Sequence, residues 1–152
     1  MIEKIVSGGQ TGVDRAALDV ARMLGLPCGG WCPKGRKAED GPIASRYPLQ
    51  ETPSDDYAQR TAWNVRDSDG TLILTRGQPT EGTALTIEVA ERQGKPHLVM
   101  DLNEQPDRAT VRAWTIMHGI RVLNIAGPRE QKNPGIYAQA SQFLRQVFSA
   151  GD

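Results

Sequence analysis

Short apolar runs and longer stretches with helical periodicity alternate along the chain. The apolar runs are bounded by glycine, proline or aspartate, as is typical of buried strands. The predicted strands lie at residues 3–7, 70–75, 97–101 and 121–126. Between them, apolar residues recur every three or four positions, which predicts helices packed on a sheet. The predicted helices begin at Val13, cover residues 54–66 and 83–93, place Pro106 in a first turn, and follow Asn133-Pro134.

The segment from residue 27 to residue 52 is less regular. It is rich in glycine and proline, and it predicts a long loop with a short strand, followed by an extended stretch at residues 47–52. Strands that alternate with helices over the whole length predict an α/β fold with a mainly parallel sheet and helices on both faces. No repeat or linker interrupts the pattern, so we expect a single domain over residues 1–152.

Composition narrows the possible partners. Lysine plus arginine and aspartate plus glutamate both number 18, so the formal net charge is zero and gives no reason to expect nucleic acid or a membrane as partner. No apolar run approaches the roughly 20 residues that span a bilayer. The first residues lack a signal-peptide core, and two cysteines make no disulfide framework. We therefore expect a cytoplasmic protein.

Three glycine-rich loops follow predicted strands and lead into predicted helices, at residues 7–15, 75–83 and 126–135. In a parallel sheet such loops meet at the carboxyl edge, and helix N-termini offer unpaired N–H groups and partial positive charge. The loops therefore predict a pocket for a small anion or a nucleotide, although glycine also serves tight turns without any ligand. The candidate binding residues are Ser7, Gly8, Gly9, Gln10, Thr11, Gly12, Asp14, Arg15, Lys34, Gly77, Thr80, Gly82, Thr83, Gly127, Arg129 and Glu130.

Basic residues in these loops favour an anionic ligand. Arg15 falls in a first helical turn, where a positive charge opposes the helix dipole unless an anionic ligand or an aspartate such as Asp14 or Asp19 offsets it. Arg129 is a second loop cation. Lys34 and Arg36 lie in the irregular segment, where they could fold over the pocket or remain on the surface.

The sequence gives little support for other kinds of functional site. The chain has neither a P-loop nor the G-x-G-x-x-G pattern of dinucleotide sites. Cys28 and Cys32 have no second pair to complete a metal site, so no metal site is predicted and incidental cysteines are favoured over a soft-ligand role toward molybdenum. Glu81, in the second loop, is the best candidate for acid–base catalysis.

The motifs that give the chain a family resemblance are SGGQTGVDRAALD at 7–19, GWCPKGR at 30–36 with EDG at 39–41, Tyr57 through Arg60-Thr61, NVRDSDGT at 64–71, and NIAGPRE at 124–130 with NPGIY at 133–137. Together they resemble the putative molybdenum carrier family. The resemblance implies a Rossmann-like three-layer sandwich, related to lysine-decarboxylase-like and DNA-processing-protein-like nucleotide-binding folds. It also implies that the ligand is molybdenum cofactor or molybdate, and that the protein forms a homo-oligomer, either a dimer or a tetramer.

The second loop departs from a related pattern. Phosphoribohydrolases of similar fold carry P-G-G-x-G-T-x-x-E with a catalytic glutamate, whereas this chain reads PTEGTALT at residues 79–86. Thr80-Glu81 replaces the glycine pair, and Thr86 stands at the acid position. A carrier that binds its ligand is therefore the leading interpretation. The alternative is a nucleotide-binding protein or nucleoside-phosphate hydrolase that uses the same pocket.

Overall fold

The computed structural model describes residues 1–149, which form seven strands, five helices and one 3₁₀ turn. In chain order the elements are β1 (Lys4–Val6), α1 (Val13–Met23), β2 (Cys28–Gly29), β3 (Trp31–Cys32), β4 (Gln50–Glu51), α2 (Tyr57–Arg66), β5 (Gly70–Thr75), α3 (Glu81–Arg92), β6 (His97–Asp101), the 3₁₀ turn (Leu102–Glu104), α4 (Arg108–Met117), β7 (Val122–Ala126) and α5 (Ile136–Phe148).

Five of the strands form one parallel sheet in the order β2-β1-β7-β5-β6, while β3 and β4 pair separately. The predicted α/β class with a mainly parallel sheet is confirmed. The last strand, β7, occupies the middle and pairs with β1 on one side and β5 on the other. The strand at residues 70–75, β5, lies one position away from the centre.

The helices cover both faces of the sheet. The face with α1, α4 and α5 contains the main core, in which Ile5, Leu72, Leu74 and Leu123 are buried beneath helical side chains. The predicted apolar stripe of α5 is fully buried in this layer. On the opposite face α2 packs against α3 around Val65. Each buried aliphatic side chain contributes roughly 1.5–3 kcal/mol, so burial on both faces fixes the sheet that carries the loops.

The starts of α3, α4 and α5 differ from prediction, and a specific residue sets the last two. The carboxylate of Asp107 accepts from the Ala109 N–H, so α4 begins at Arg108 and Pro106 lies outside its first turn. Helix α5 begins at Ile136 because Gly135 adopts a φ of 89°. Helix α3 begins two residues earlier than predicted, at Glu81.

The irregular segment at residues 27–52 has a small core of its own against α1, which includes Ile43, Tyr47 and Leu49. The Arg36 guanidinium donates to four backbone carbonyls within this segment. Of the two roles left open for Arg36, folding over the pocket or remaining on the surface, the structure shows neither, because the side chain ties the segment together. Among residues 1–149, no helix is long and apolar enough to cross a membrane.

Candidate functional site

A cleft of about 200 Å³ lies at the carboxyl end of β7, between α1, α2 and the start of α3. It brings together residues from all three glycine-rich loops and from α2. The residues that line it are Gln10, Asp14, Tyr57, Arg60, Thr61, Thr80, Glu81, Gly82, Thr83, Leu85, Thr86, Ala126, Gly127, Pro128, Arg129, Lys132 and Asn133.

The first turn of α3 forms one wall of the cleft. Thr80 is extended at the N-cap, but its side chain makes no capping hydrogen bond. The N-terminal N–H groups of α3 therefore lack the side-chain acceptor that commonly satisfies them. Thr83 is 6% exposed, and its hydroxyl has no hydrogen-bond partner among residues 1–149. This wall combines hydrogen-bond donors with the positive end of a helix.

A buried ion pair forms another part of the lining. Arg60 Nη1 of α2 donates to Asp14 Oδ2 of α1 at 3.0 Å, and the two side chains are 14% and 4% exposed. Burial raises the pKa of Asp14, although the charge and hydrogen bond of Arg60 act in the opposite direction. Gly8 makes this pairing possible, because a Cβ there would lie 1.8 Å from Arg60 Nη1. The guanidinium thus lies against bare backbone.

Two further cations lie on the rim. Arg129 Nε is 3.4 Å from Glu39 Oε1, and Lys132 Nζ is 2.5 Å from Glu81 Oε2. The hydrogen bond from Lys132 holds the pKa of Glu81 below its usual range. Glu81 is therefore exposed and ionised beside Lys132. A carboxylate in this state serves as the counter-ion of the lysine rather than as an acid that donates a proton.

Most of the first loop supports the cleft without lining it. Ser7 Oγ donates to the Asp14 carbonyl at 2.9 Å. The Thr11 hydroxyl donates to the Glu39 carboxylate and accepts from the Glu130 N–H. Within this loop only Gln10 and Asp14 line the cleft; Gly9 and Gly12 turn the backbone at positive φ.

Arg15 lies outside the cleft, contrary to the sequence-based expectation. Its Nε donates to the Gly9 carbonyl at 3.0 Å, and its two terminal nitrogens bind Asp40. Asp40 supplies the carboxylate that offsets the helix dipole. Asp14, one of the partners expected from the sequence, binds Arg60 instead.

Three other candidates also lie away from the lining. Lys34 is exposed on the irregular segment, and Gly77 is an exposed turn residue at a φ of 73°. Glu130 accepts hydrogen bonds from the N–H groups of Gly135 and Tyr137, so it caps the start of α5. These positions have local structural explanations.

The predicted pocket did not include α2, although Tyr57, Arg60 and Thr61 belong to the motifs that carry the family resemblance. Tyr57, Arg60 and Thr61 line the cleft from one side of that helix. Their i, i+3 and i+4 spacing places them on a common helix face, and this was the available signal. Helix α2 is only weakly apolar, and the side chains that it directs into the cleft are polar. A search for an apolar stripe therefore does not find them.

The cysteines do not contribute to the cleft. Cys28 and Cys32 are free thiols on β2 and β3, and burial raises the pKa of both. A raised pKa disfavours the thiolate, which is the form that binds soft metals. Within residues 1–149 no group of three or more His, Cys, Asp or Glu residues could hold a metal ion.

Comparison with known proteins gives two matches. The model of the circularly permutated YpsA SLOG family matches residues 5–148. A crystal structure of a "putative molybdenum carrier protein" from Syntrophus aciditrophicus SB is 50% identical in sequence, with a TM-score of 0.94. The match covers 98% of this chain and 96% of that one. No curated protein matches.

Proposed function

Because the chain belongs to the circularly permutated YpsA SLOG family, we propose that it is a carrier that binds a small anionic ligand in the cleft. The ligand is molybdate or the anionic part of the molybdenum cofactor. The similar structure from Syntrophus aciditrophicus SB, called a "putative molybdenum carrier protein", supports this choice. The two free cysteines support a reducing cytoplasmic location.

The observation that carries the proposal is the uncapped start of α3, which lines the same cleft as Arg60 and Arg129. N–H groups, a free hydroxyl and guanidinium groups all donate hydrogen bonds to oxyanions, and those to charged groups are the strongest. Molybdate presents four oxygens and no donor at neutral pH, so this lining matches it. The group is recognised through its oxygen atoms and not through direct ligation of the metal.

The size of the cleft agrees with an oxyanion. Its volume of about 200 Å³ is below the roughly 300–1,000 Å³ of pockets that enclose drug-sized ligands. A tetrahedral oxyanion or a phosphate group fits inside it. The remainder of a larger ligand such as the cofactor would extend past the rim.

A thermal-shift panel tests this proposal. It compares molybdate, tungstate, sulfate, phosphate, common nucleoside monophosphates and extracted molybdenum cofactor. A ligand at a hundred times its dissociation constant adds about 2.7 kcal/mol, which is roughly 5–10 °C for a chain of this length. We expect the shift with molybdate, tungstate or the cofactor. A shift with nucleotides alone would contradict the carrier proposal.

Arg129→Ala is expected to weaken molybdate binding about tenfold or more. Arg129 lines the cleft, and a hydrogen bond to a charged group contributes roughly 1.5–3 kcal/mol. Isothermal titration calorimetry measures the dissociation constant directly. Arg15→Ala is the matched control because Arg15 binds Asp40 and the Gly9 carbonyl away from the cleft. Equal weakening in both variants would show that the anion does not bind in this cleft.

A second candidate is hydrolysis of a nucleoside monophosphate, and Asp14 is the observation that favours it. Asp14 is a buried carboxyl with a raised pKa in the cleft, and perturbed carboxyls cluster at catalytic sites. Incubation with nucleoside monophosphates followed by chromatography would reveal free base and ribose phosphate. If the protein is such a hydrolase, Asp14→Asn abolishes turnover and Glu81→Gln, at the exposed ion pair, retains it. If no product forms with any nucleotide, the hydrolase candidate fails.

A further inference from the structure

Among residues 1–149, the edge strand β6 pairs with a neighbouring strand on one side only. It lies at one end of the five-stranded sheet and runs for five residues, whereas β2 at the other end has only two. Natural edge strands are usually short, bulged, covered, or guarded by lysine or proline. Within His97–Asp101 there is no lysine or proline, and Val99 at its centre is 37% exposed.

Pairing with β5 determines which backbone groups of β6 are free. The Thr71 N–H donates to the Pro96 carbonyl, and Thr71 is in register with His97. In a parallel pair the residues of one strand turn alternately toward and away from its neighbour. Leu98 and Met100 therefore turn their backbone groups toward β5. The backbone groups of His97, Val99 and Asp101 turn outward.

We propose that a second copy of this chain pairs antiparallel with β6 around a twofold axis at Val99. This register places every outward residue opposite an outward residue, so each pair exchanges both backbone hydrogen bonds. Val99 meets Val99 of the partner subunit at the axis. The two sheets become one continuous sheet, and a twofold axis makes the contact self-complementary.

Side-chain hydrogen bonding selects the same register, because an imidazole N–H can donate to a carboxylate. Residues four apart in a strand share a face, so His97 and Asp101 flank Val99 on one face of β6. Antiparallel pairing about Val99 sets His97 of each chain opposite Asp101 of the partner subunit. The imidazole, whose Nε2 lies 3.9 Å from Glu91 Oε1 of α3, then lies between two carboxylates. If the pairing register shifted by two residues, His97 would no longer lie opposite Asp101 of the partner subunit. If it shifted by one residue, the outward backbone groups of the two strands would no longer be paired.

The contact is independent of the proposed carrier function. None of the residues His97–Asp101 lines the cleft, so pairing through β6 leaves the cleft open. Failure of the ligand-binding experiments would therefore say nothing about this interface. Failure of the dimer experiments would likewise leave the carrier proposal unchanged.

Sedimentation equilibrium on the full chain tests the interface. We expect wild-type protein to be a dimer and Val99→Lys to be a monomer, because two lysines would face each other at the axis. The half-exposed position lets this variant fold, which circular dichroism checks. Ile116→Lys is the matched control, since Ile116 is 75% exposed on α4, and it should remain a dimer. A monomeric wild type, or a Val99→Lys dimer as tight as wild type, would overturn the proposal.

Substitutions at His97 test the register without touching the apolar contact. His97→Lys is expected to tighten the dimer and His97→Glu to loosen it. A cross-strand charge pair acts twice in a twofold contact, so each change is roughly two- to thirtyfold in the dissociation constant. Amide hydrogen exchange supplies a second readout: the Val99 N–H should be protected in the dimer and exchange freely in Val99→Lys. Equal dissociation constants for both His97 variants would refute this register.

Discussion

Gly12→Ala is expected to destabilise the protein by about 4 kcal/mol, from backbone strain and a steric clash together. Gly12 has φ 80° and ψ −129°, a conformation that side chains rarely adopt. A Cβ there would lie 2.3 Å from the Pro128 carbonyl oxygen and 2.8 Å from the Glu130 N–H nitrogen. Both are backbone atoms of the loop that carries Arg129, so relief of the clash must move that loop. Urea unfolding measures the loss of stability, and molybdate affinity should fall with it.

The Gly25→Ala variant separates the cost of backbone strain from the cost of the steric clash. Gly25 also has a positive φ, of 73°, but no atom lies within 4 Å of the position that a Cβ would occupy there. Only the backbone cost of roughly 1–2 kcal/mol applies to this variant, and ligand affinity should not change. If the two alanine variants were equally stable, the close approach of the first and third loops would not matter for folding. The prediction would then be wrong.

The sequence predicted the elements better than their arrangement. Strands β5 and β6 match the predicted runs at both ends, because a continuous apolar run bounded by glycine or proline leaves little freedom. The helix starts were displaced where a carboxylate cap or a glycine set them, as at Asp107 and Gly135. The position of β7 between β1 and β5 was not predictable from local pattern, because strand order depends on pairings between distant segments. The family resemblance is confirmed by the comparisons.

For the candidate site, the sequence located the loops but not the directions of their side chains. Parallel topology alone brings Gln10, Gly82 and Gly127 to one cleft. The orientation of Arg15 depends on Asp40, which lies 25 residues away in an irregular segment. Whether these cleft residues bind a ligand remains a prediction until the affinity measurements above are made.

Arg60→Met is expected to cost about 3–5 kcal/mol at neutral pH, the range for removal of one partner from a buried ion pair. The variant leaves the Asp14 carboxylate, 4% exposed, without its cation. It also removes a guanidinium from the cleft, so molybdate binding should weaken. Urea unfolding at several pH values measures the first effect, and calorimetry measures the second.

The loss of stability in Arg60→Met should depend on pH, and this dependence identifies Asp14 as its cause. Burial already raises the pKa of folded Asp14 above the ordinary 3.8 of the unfolded chain. The folded state therefore binds the proton more tightly, and the contribution of Asp14 to stability falls as pH rises from 3.8 through the raised value. Removing Arg60 takes away the attraction that opposes this rise, so the pKa should rise further and the deficit should be larger at pH 8 than at pH 5.

Two controls test whether the cleft is built around a buried charge pair. Arg66→Met, on the same helix, removes an exposed pair in which Arg66 is 51% exposed and Asp67 44%, and such pairs contribute about 0–1 kcal/mol. Adding Asp14→Asn to Arg60→Met removes the stranded carboxylate, so it should recover stability and flatten the pH dependence. A deficit that is independent of pH and survives in the double variant would mean that Arg60 acts by packing on Gly8 alone. In that case the ion pair of Arg60 with Asp14 would not stabilise this part of the cleft lining.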